Sequence, residues 1–347
     1  MATATATINL NAIRKNWQKL RSLSSNDAAA VVKANAYGLG LKQVAKALYV
    51  EGARIFFVAT AEEGAELRSI LGEPSDIYVF SGHMVGDTEL IKNYNLIPLI
   101  NSIEQLSRHS KLLREQKFGV QLDTGMNRLG LEPMEWEASK ELTLSLNPVL
   151  IMSHLACADE PNHKMNINQL NNFLTLTNKI NIKKSLAATG GILLGPEYHF
   201  DLTRPGIVIY GCSPMQGCLA VGKIDIPVIQ IRNIESGETV GYGNTWTSPS
   251  KKRIATISAG YADGIFRTIG KKTRLYFEEI GCPIIGRISM DLIGVDITSL
   301  NVEPDRLALI NSRQTIDKIA DDAGTIGYEF LTSLGHRYKR NYTGVAR

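Results

Sequence analysis

Over residues 1–217 the chain alternates short apolar or β-branched runs with amphipathic helical stretches. AAAVVKA reads as a strand, followed by a helix from about Leu41 to Glu51, and IFFVA as the next strand, followed by the helix AEEGAELRSIL. IYVFSG, LIPLI, FGVQLD, LIMSHLA, SLAATGG and IVIYG are further strand candidates, with helical segments between most of them. Unbroken apolar runs suit parallel strands buried on both faces, whose crossovers must be helices. About eight such units in one stretch predict a TIM-type (β/α)8 barrel, with a doubly wound open sheet as the alternative.

After Gly217 the texture changes. IPVIQIRNI, ETVGYG, KRIATISAG, RLYFEEI, CPIIGRIS and LIGVDIT are short strand-like runs broken by Gly, Pro, Asn or Ser, and helical pattern is nearly absent until Thr315–Asp322. This predicts a mainly antiparallel β domain over 218–347, joined to the α/β barrel near Gly217–Lys223. No low-complexity linker separates the two halves, so close packing is expected.

The length of 347 residues is comfortable for two domains, and 44% hydrophobic with 21% charged residues is ordinary for a globular chain. The net charge of +4 is dispersed, with Lys251–Arg253 and Arg337–Arg340 the nearest approaches to basic runs. No nucleic-acid partner is expected from that. No apolar stretch is long enough to span a membrane and the N-terminal segment lacks the signal-peptide pattern. Cys157, Cys212, Cys218 and Cys282 lack metal-ligand spacing, so free thiols in the cytoplasm are expected and no metal site.

The candidate chemistry begins at VVKANAYGLG, where Lys33 closes an apolar strand. The C-terminal ends of barrel strands carry the chemistry of such folds, and burial there would lower a lysine's pKa and favour Schiff-base formation. Tyr37 is placed to reach a bound phosphate. A solvated strand-end lysine is the plain alternative. The late segments ATGGIL and RPGI fall where barrels commonly build a phosphate site from backbone N–H groups and hydroxyls.

The lysine segment closely resembles that of the alanine racemases, barrel-type pyridoxal-phosphate enzymes. DTGMNRLG (123–130), SHLACAD (153–159), RPGIVIYG (204–211), GETVGYG (237–243), AGYADG (259–264), GRISMD (286–291) and IGYEFLTSLG (326–335) follow in the family's order. The resemblance implies that Lys33 carries pyridoxal 5'-phosphate and that Tyr37, Thr189, Gly206, Ile207 and Tyr328 hold its phosphate. It also implies that Arg204 faces the pyridine nitrogen and His154 lies near the ring. Arginine can only donate, so that nitrogen stays unprotonated and the ring is a weaker electron sink, favouring prompt reprotonation over transamination. Lys33 and Tyr242 would be the two opposed catalytic bases, Tyr242 taking the proton of L-alanine and Lys33 that of D-alanine. Tyr242 would arrive from the partner of a head-to-tail homodimer. Arg128 would bind the substrate carboxylate, a role that charge-assisted hydrogen bonds suit. Tyr261 and Met290, the latter through its backbone, would complete the substrate region, with Asp291 beside them.

Three positions depart from the family pattern. Many members have a carbamylated lysine seven residues before the motif arginine; here Gln121 stands there, so its amide carbonyl, or an anion such as chloride held between Gln121 and Arg128, must orient the arginine. The usual Asn-Ser phosphate pair reads Ala188-Thr189, and Leu39 replaces a frequent histidine. The expected activity is interconversion of L- and D-alanine, supplying D-alanine for peptidoglycan. The alternatives are a broader small-amino-acid racemase (serine, for example), a non-catalytic pyridoxal-phosphate carrier and an inactive homologue.

Overall fold

A computed structural model describes residues 3–344. The helix Leu10–Leu23 shows how the first layer forms. Asn9 caps it through the Ala12 N–H, its apolar face buries Leu10, Ile13, Trp17 and Leu20, and the Trp17 indole N–H donates to the Ala29 carbonyl at 2.9 Å. That bond fixes the helix to the first barrel strand.

The barrel strands run parallel in chain order: Asp27–Ala28 with Ala30–Val31, then Ile55–Val58, Asp76–Val79, Ile97–Ile100, Gly119–Gln121, Leu150–Met152 and Lys184–Ser185. Leu202–Thr203 is the eighth, paired with Asp27–Ala28. It meets the seventh strand through Arg204 N–H to Ala187 O (2.9 Å), and the first through Ala29 N–H to Thr203 O (2.9 Å), which closes the ring. Phe56, Phe57, Ile77, Leu99, Val120 and Ile151 fill its interior or the layer beneath the helices and are fully buried. The expected (β/α)8 barrel is therefore present.

One strand assignment is corrected. IVIYG is not the last barrel strand: Ile207–Tyr210 forms a turn of 3-10 helix, wholly buried, after the much shorter strand Leu202–Thr203. Period alone cannot separate a buried β-branched turn from a buried strand. Similarly, TGG opens the helix Thr189–Leu194 rather than ending a strand.

The second half is a closed antiparallel barrel in the order 252–257, 293–296, 280–285, 274–277, 306–310 and 222–234, the last pairing back to the first. The strand Gly222–Ile234 is long enough to bend through two register shifts and so serves both sides of the ring. ETVGYG, expected as a strand, contributes only an isolated bridge at Thr239, and Tyr242–Asn244 is a 3-10 turn. Thr5–Asn9, at the start of the chain, also belongs to this sheet, lying between Gly222–Ile234 and the parallel strand Lys339–Thr343. The two halves are thus tied at both ends of the chain, and one hydrophobic core runs through them.

Candidate active site

Lys33 follows directly on the first barrel strand, and its amine lies 5.5 Å from the centre of the Phe80 ring, at the end of the third. Around it a cavity of about 150 Å3 is lined by Tyr37, His154, Thr189, Arg204, Gly206, Ile207 and Tyr328, among others. Eight of the residues singled out in the sequence therefore converge at the strand ends.

Burial and the Arg128 charge lower the pKa of Lys33, while Glu63 opposes them. The Tyr37 ring stacks on Tyr210 with centroids 4.4 Å apart and meets Tyr328 at 6.0 Å. Burial raises the pKa of the Tyr37 and Tyr328 phenols, which therefore remain protonated donors. Thr189 Oγ1 accepts the Gly206 N–H at 2.9 Å, joining the two late loops and leaving its own proton free to donate.

Arg204 is fully enclosed. Its guanidinium donates to Ser185 Oγ, to Ser153 O at 2.7 Å and to Leu186 O at 3.2 Å. Burial lowers its pKa to about 9, which keeps it charged at neutral pH. His154 is held neutral: burial, then the cations Arg204, Arg128 and Lys33, bring its pKa down to about 3. The cavity thus offers a primary amine, a fixed cation, a neutral imidazole and clustered hydroxyl donors. That donor set fits a phosphate-bearing aromatic aldehyde, and the absence of a side chain at Gly206 lets its backbone lie close against the Tyr37 hydroxyl.

The remaining predicted residues are not in this wall. Arg128 is exposed, on the loop after Gly119–Gln121. Gln121 is buried and donates its side-chain amide to Leu129 O at 2.9 Å, so its hydrogen bond is to the backbone of the arginine's loop. Tyr242, Tyr261 and Met290 are 74%, 45% and 52% exposed on the β domain. Tyr242 lines a separate surface hollow of about 660 Å3, with Arg232 and Arg287 but no lysine. The Ala262 N–H donates to Met290 O at 3.1 Å and Tyr261 N–H to Ser289 O at 3.0 Å, so the two loops are tied to each other. Arg337 reinforces it, gripping Asp263 with two bonds (2.8 and 2.9 Å) and Asp291 with a third (2.7 Å).

Sequence reasoning missed Val31, Phe80 and Asp159, which also line the Lys33 cavity. Phe80 ends the strand IYVF, and the ends of neighbouring barrel strands converge on one face, so strand position was a usable signal for it.

A parallel α/β barrel with a lysine at its strand ends, joined to an antiparallel barrel, is the architecture of the barrel-type pyridoxal-phosphate enzymes. Family models described as "Alanine racemase, N-terminal domain" and "Alanine racemase, C-terminal domain" match residues 8–214 and 221–342. The chain belongs to the alanine racemase family. A relative from Cereibacter sphaeroides named alanine racemase is 54% identical over the whole of both chains. One from Rhodospirillum rubrum is 40% identical, covering 99% of this chain and 97% of its own. Among solved structures, an alanine racemase from Bartonella henselae with covalently bound pyridoxal phosphate superposes with a TM-score of 0.94 at 39% identity, covering 99% of this chain and 100% of that one. The biosynthetic alanine racemase of Pseudomonas aeruginosa gives a TM-score of 0.92 at 33% identity, with 99% and 100% covered.

Proposed function

We propose that this protein is a pyridoxal-phosphate-dependent alanine racemase that interconverts L- and D-alanine by a two-base mechanism. The observation that carries the reading is the convergence of Lys33, Tyr37, Thr189, Arg204, Gly206 and Tyr328 on one cavity at the barrel's strand ends.

Lys33 would hold the cofactor covalently through its Nζ; Tyr37, Tyr328, Thr189 and the backbone at Gly206 and Ile207 would hold its phosphate; Arg204 would serve the ring nitrogen and His154 the ring. The chemistry pyridoxal phosphate would supply when bound there is an electron sink that weakens the C–H bond at the substrate's α-carbon. Arg128 holds the substrate carboxylate through charge-assisted bonds. Lys33 Nζ takes or returns the α-proton on one face, and the Tyr242 hydroxyl does so on the other. Racemisation needs both, because a single base would have to change faces.

Tyr242, Tyr261 and Met290 are exposed on the β domain, outside the wall of the Lys33 cavity. A head-to-tail homodimer, in which each subunit supplies them to its partner's barrel, gives that exposure a purpose. We place the functional division at residue 217, with the barrel holding cofactor and the β domain supplying the second base. No helix among the described residues is long and apolar enough to cross a membrane, and we assign the enzyme to the cytoplasm, where D-alanine serves peptidoglycan synthesis.

The test is interconversion of D- and L-alanine by wild type, Lys33→Ala and Tyr242→Phe. Both variants are expected to lose at least about 100-fold in kcat. A cofactor-loaded wild type that leaves either isomer unchanged would overturn the assignment; equal turnover of serine would move it to the broader racemase.

A further inference from the structure

The segment that follows Lys33 is conformationally costly. Ala34, Asn35, Ala36 and Tyr37 all have φ between 52° and 55°, a complete turn of left-handed helix without a glycine. Each such residue is less favourable than in the right-handed form, because its β-carbon crowds the following carbonyl oxygen. Something outside the turn must hold it.

At its start, the Ala34 N–H donates to Glu63 Oε1 at 2.7 Å, and the other oxygen of the same carboxylate accepts the Ala59 N–H, also at 2.7 Å. Glu63 lies in the first turn of the helix Ala61–Leu71, where a glutamate would ordinarily reach back to the N–H of its own cap, Thr60. Here it reaches instead to the residue before the cap and across to the lysine strand's turn. At the other end Asn35 Oδ1 accepts the Leu41 N–H at 2.7 Å, and Arg340 and Tyr342 of the C-terminal strand donate to Gly38 O (3.0 Å) and Leu39 O (2.9 Å). Hydrogen bonds to a charged acceptor are among the stronger ones. The Ala34 bond to Glu63 therefore offsets part of the strain at the start of the turn, and the bonds at its other end offset the rest.

We infer that Glu63 is a positioning residue for Lys33: its carboxylate clamps the left-handed turn to the second barrel strand and so fixes the base from which the lysine side chain projects. Its negative charge also opposes the depression of the lysine's pKa by burial and Arg128. The inference rests on Lys33 being the reactive lysine. It concerns how Lys33 is held, and adds Glu63 to the residues on which its chemistry depends.

The experiment compares wild-type holoenzyme with Glu63→Gln, Glu63→Ala and, as a control, Thr60→Ala, which removes the cap on the Glu63 backbone N–H (3.4 Å) but leaves in place the carboxylate that makes both clamp bonds. Backbone hydrogen exchange of residues 33–41 is followed together with kcat, KM and the pH midpoint of the cofactor's visible absorption. Glu63→Ala is expected to speed exchange across 33–41, lower kcat by about 10- to 100-fold with little change in KM, and move the absorption midpoint to lower pH. Glu63→Gln, which keeps one acceptor but turns an NH2 toward the other N–H, should fall between. Thr60→Ala should lower the melting temperature yet leave exchange at 33–41 and kcat as in wild type. Wild-type exchange and absorption in Glu63→Ala, or the full pattern reproduced by Thr60→Ala, would overturn the inference. A wild type without racemase activity sinks the proposed function instead, while exchange at 33–41 still decides whether Glu63 clamps the turn.

Discussion

A β-carbon built on Gly206 would lie 2.7 Å from the phenolic oxygen of Tyr37. The backbone of one late loop thus passes against the hydroxyl that the lysine segment contributes, with no room for a side chain. Gly206→Ala should push Tyr37 off its stack on Tyr210 and narrow the phosphate end of the cavity. We expect cofactor affinity to fall by about tenfold or more, ~1.4 kcal/mol. Fluorescence titration of cofactor-stripped protein measures it, and unchanged affinity would argue against a phosphate site at this loop.

Arg204 tests the electronic argument, and its surroundings restrict which substitution can do so. Two of its acceptors are backbone carbonyls, Ser153 O and Leu186 O. Arg204→Glu would aim a carboxylate at both and leave them unpaired, at a cost of about 3–5 kcal/mol. Arg204→Gln keeps donors toward them and should fold. With the cation gone, the ring nitrogen is freer to take a proton, so more transamination side product per turnover is expected. Pyruvate release during alanine turnover reports it; a wild-type ratio in a folded Gln variant would count against Arg204 as the group that sets the ring's electronics.

Acid sensitivity has a source outside the catalytic cavity. His83 is fully buried with Nε2 on Thr88 Oγ1 (2.9 Å), and burial, followed by the neighbouring His109 and Arg108, lowers its pKa to about 4. Between the ordinary value near 6.5 and this one, the unfolded chain binds a proton that the folded chain does not. Stability therefore falls as pH drops through that window, by at most about 1.4 kcal/mol per pH unit for this group. His83→Gln should flatten the slope between pH 7 and 4.5 in urea unfolding. An unchanged slope would shift the origin to His109 or His154, which are also depressed.

The barrel and its lysine were legible because buried parallel strands leave unbroken apolar runs and because the motifs are continuous in sequence. IVIYG misled because a buried turn after Pro205-Gly206 carries the same β-branched residues as a buried strand. Thr5–Asn9 alternates acceptably as a strand, but nothing local says that its partners are 222–225 and 339–343. Glu63 was missed for a related reason. Its contact with the Lys33 segment crosses between strands, and an ordinary helix N-terminus gives no hint of it. Gln121 stood out as a departure from the family, yet its bond to Leu129 O is a backbone contact that no substitution pattern reveals.

The sharpest consequence of the exposed β-domain residues is a mixing experiment. Tyr242 is absent from the wall around Lys33 and stands 74% exposed elsewhere on the chain. If the two bases of a site come from different subunits, a Lys33→Ala chain still offers a competent Tyr242, and a Tyr242→Phe chain a competent Lys33. Each variant alone is inactive. Dissociated, mixed in equal amounts and reassembled, half the dimers become heterodimers, each with one intact site and one doubly defective site. About a quarter of all sites, and about a quarter of wild-type activity, should return. If Tyr242 served the lysine of its own chain, every site in every combination would lack one base and mixing would restore nothing. Recovery that scales with the heterodimer fraction, measured by native mass spectrometry alongside the racemase assay, separates the two arrangements.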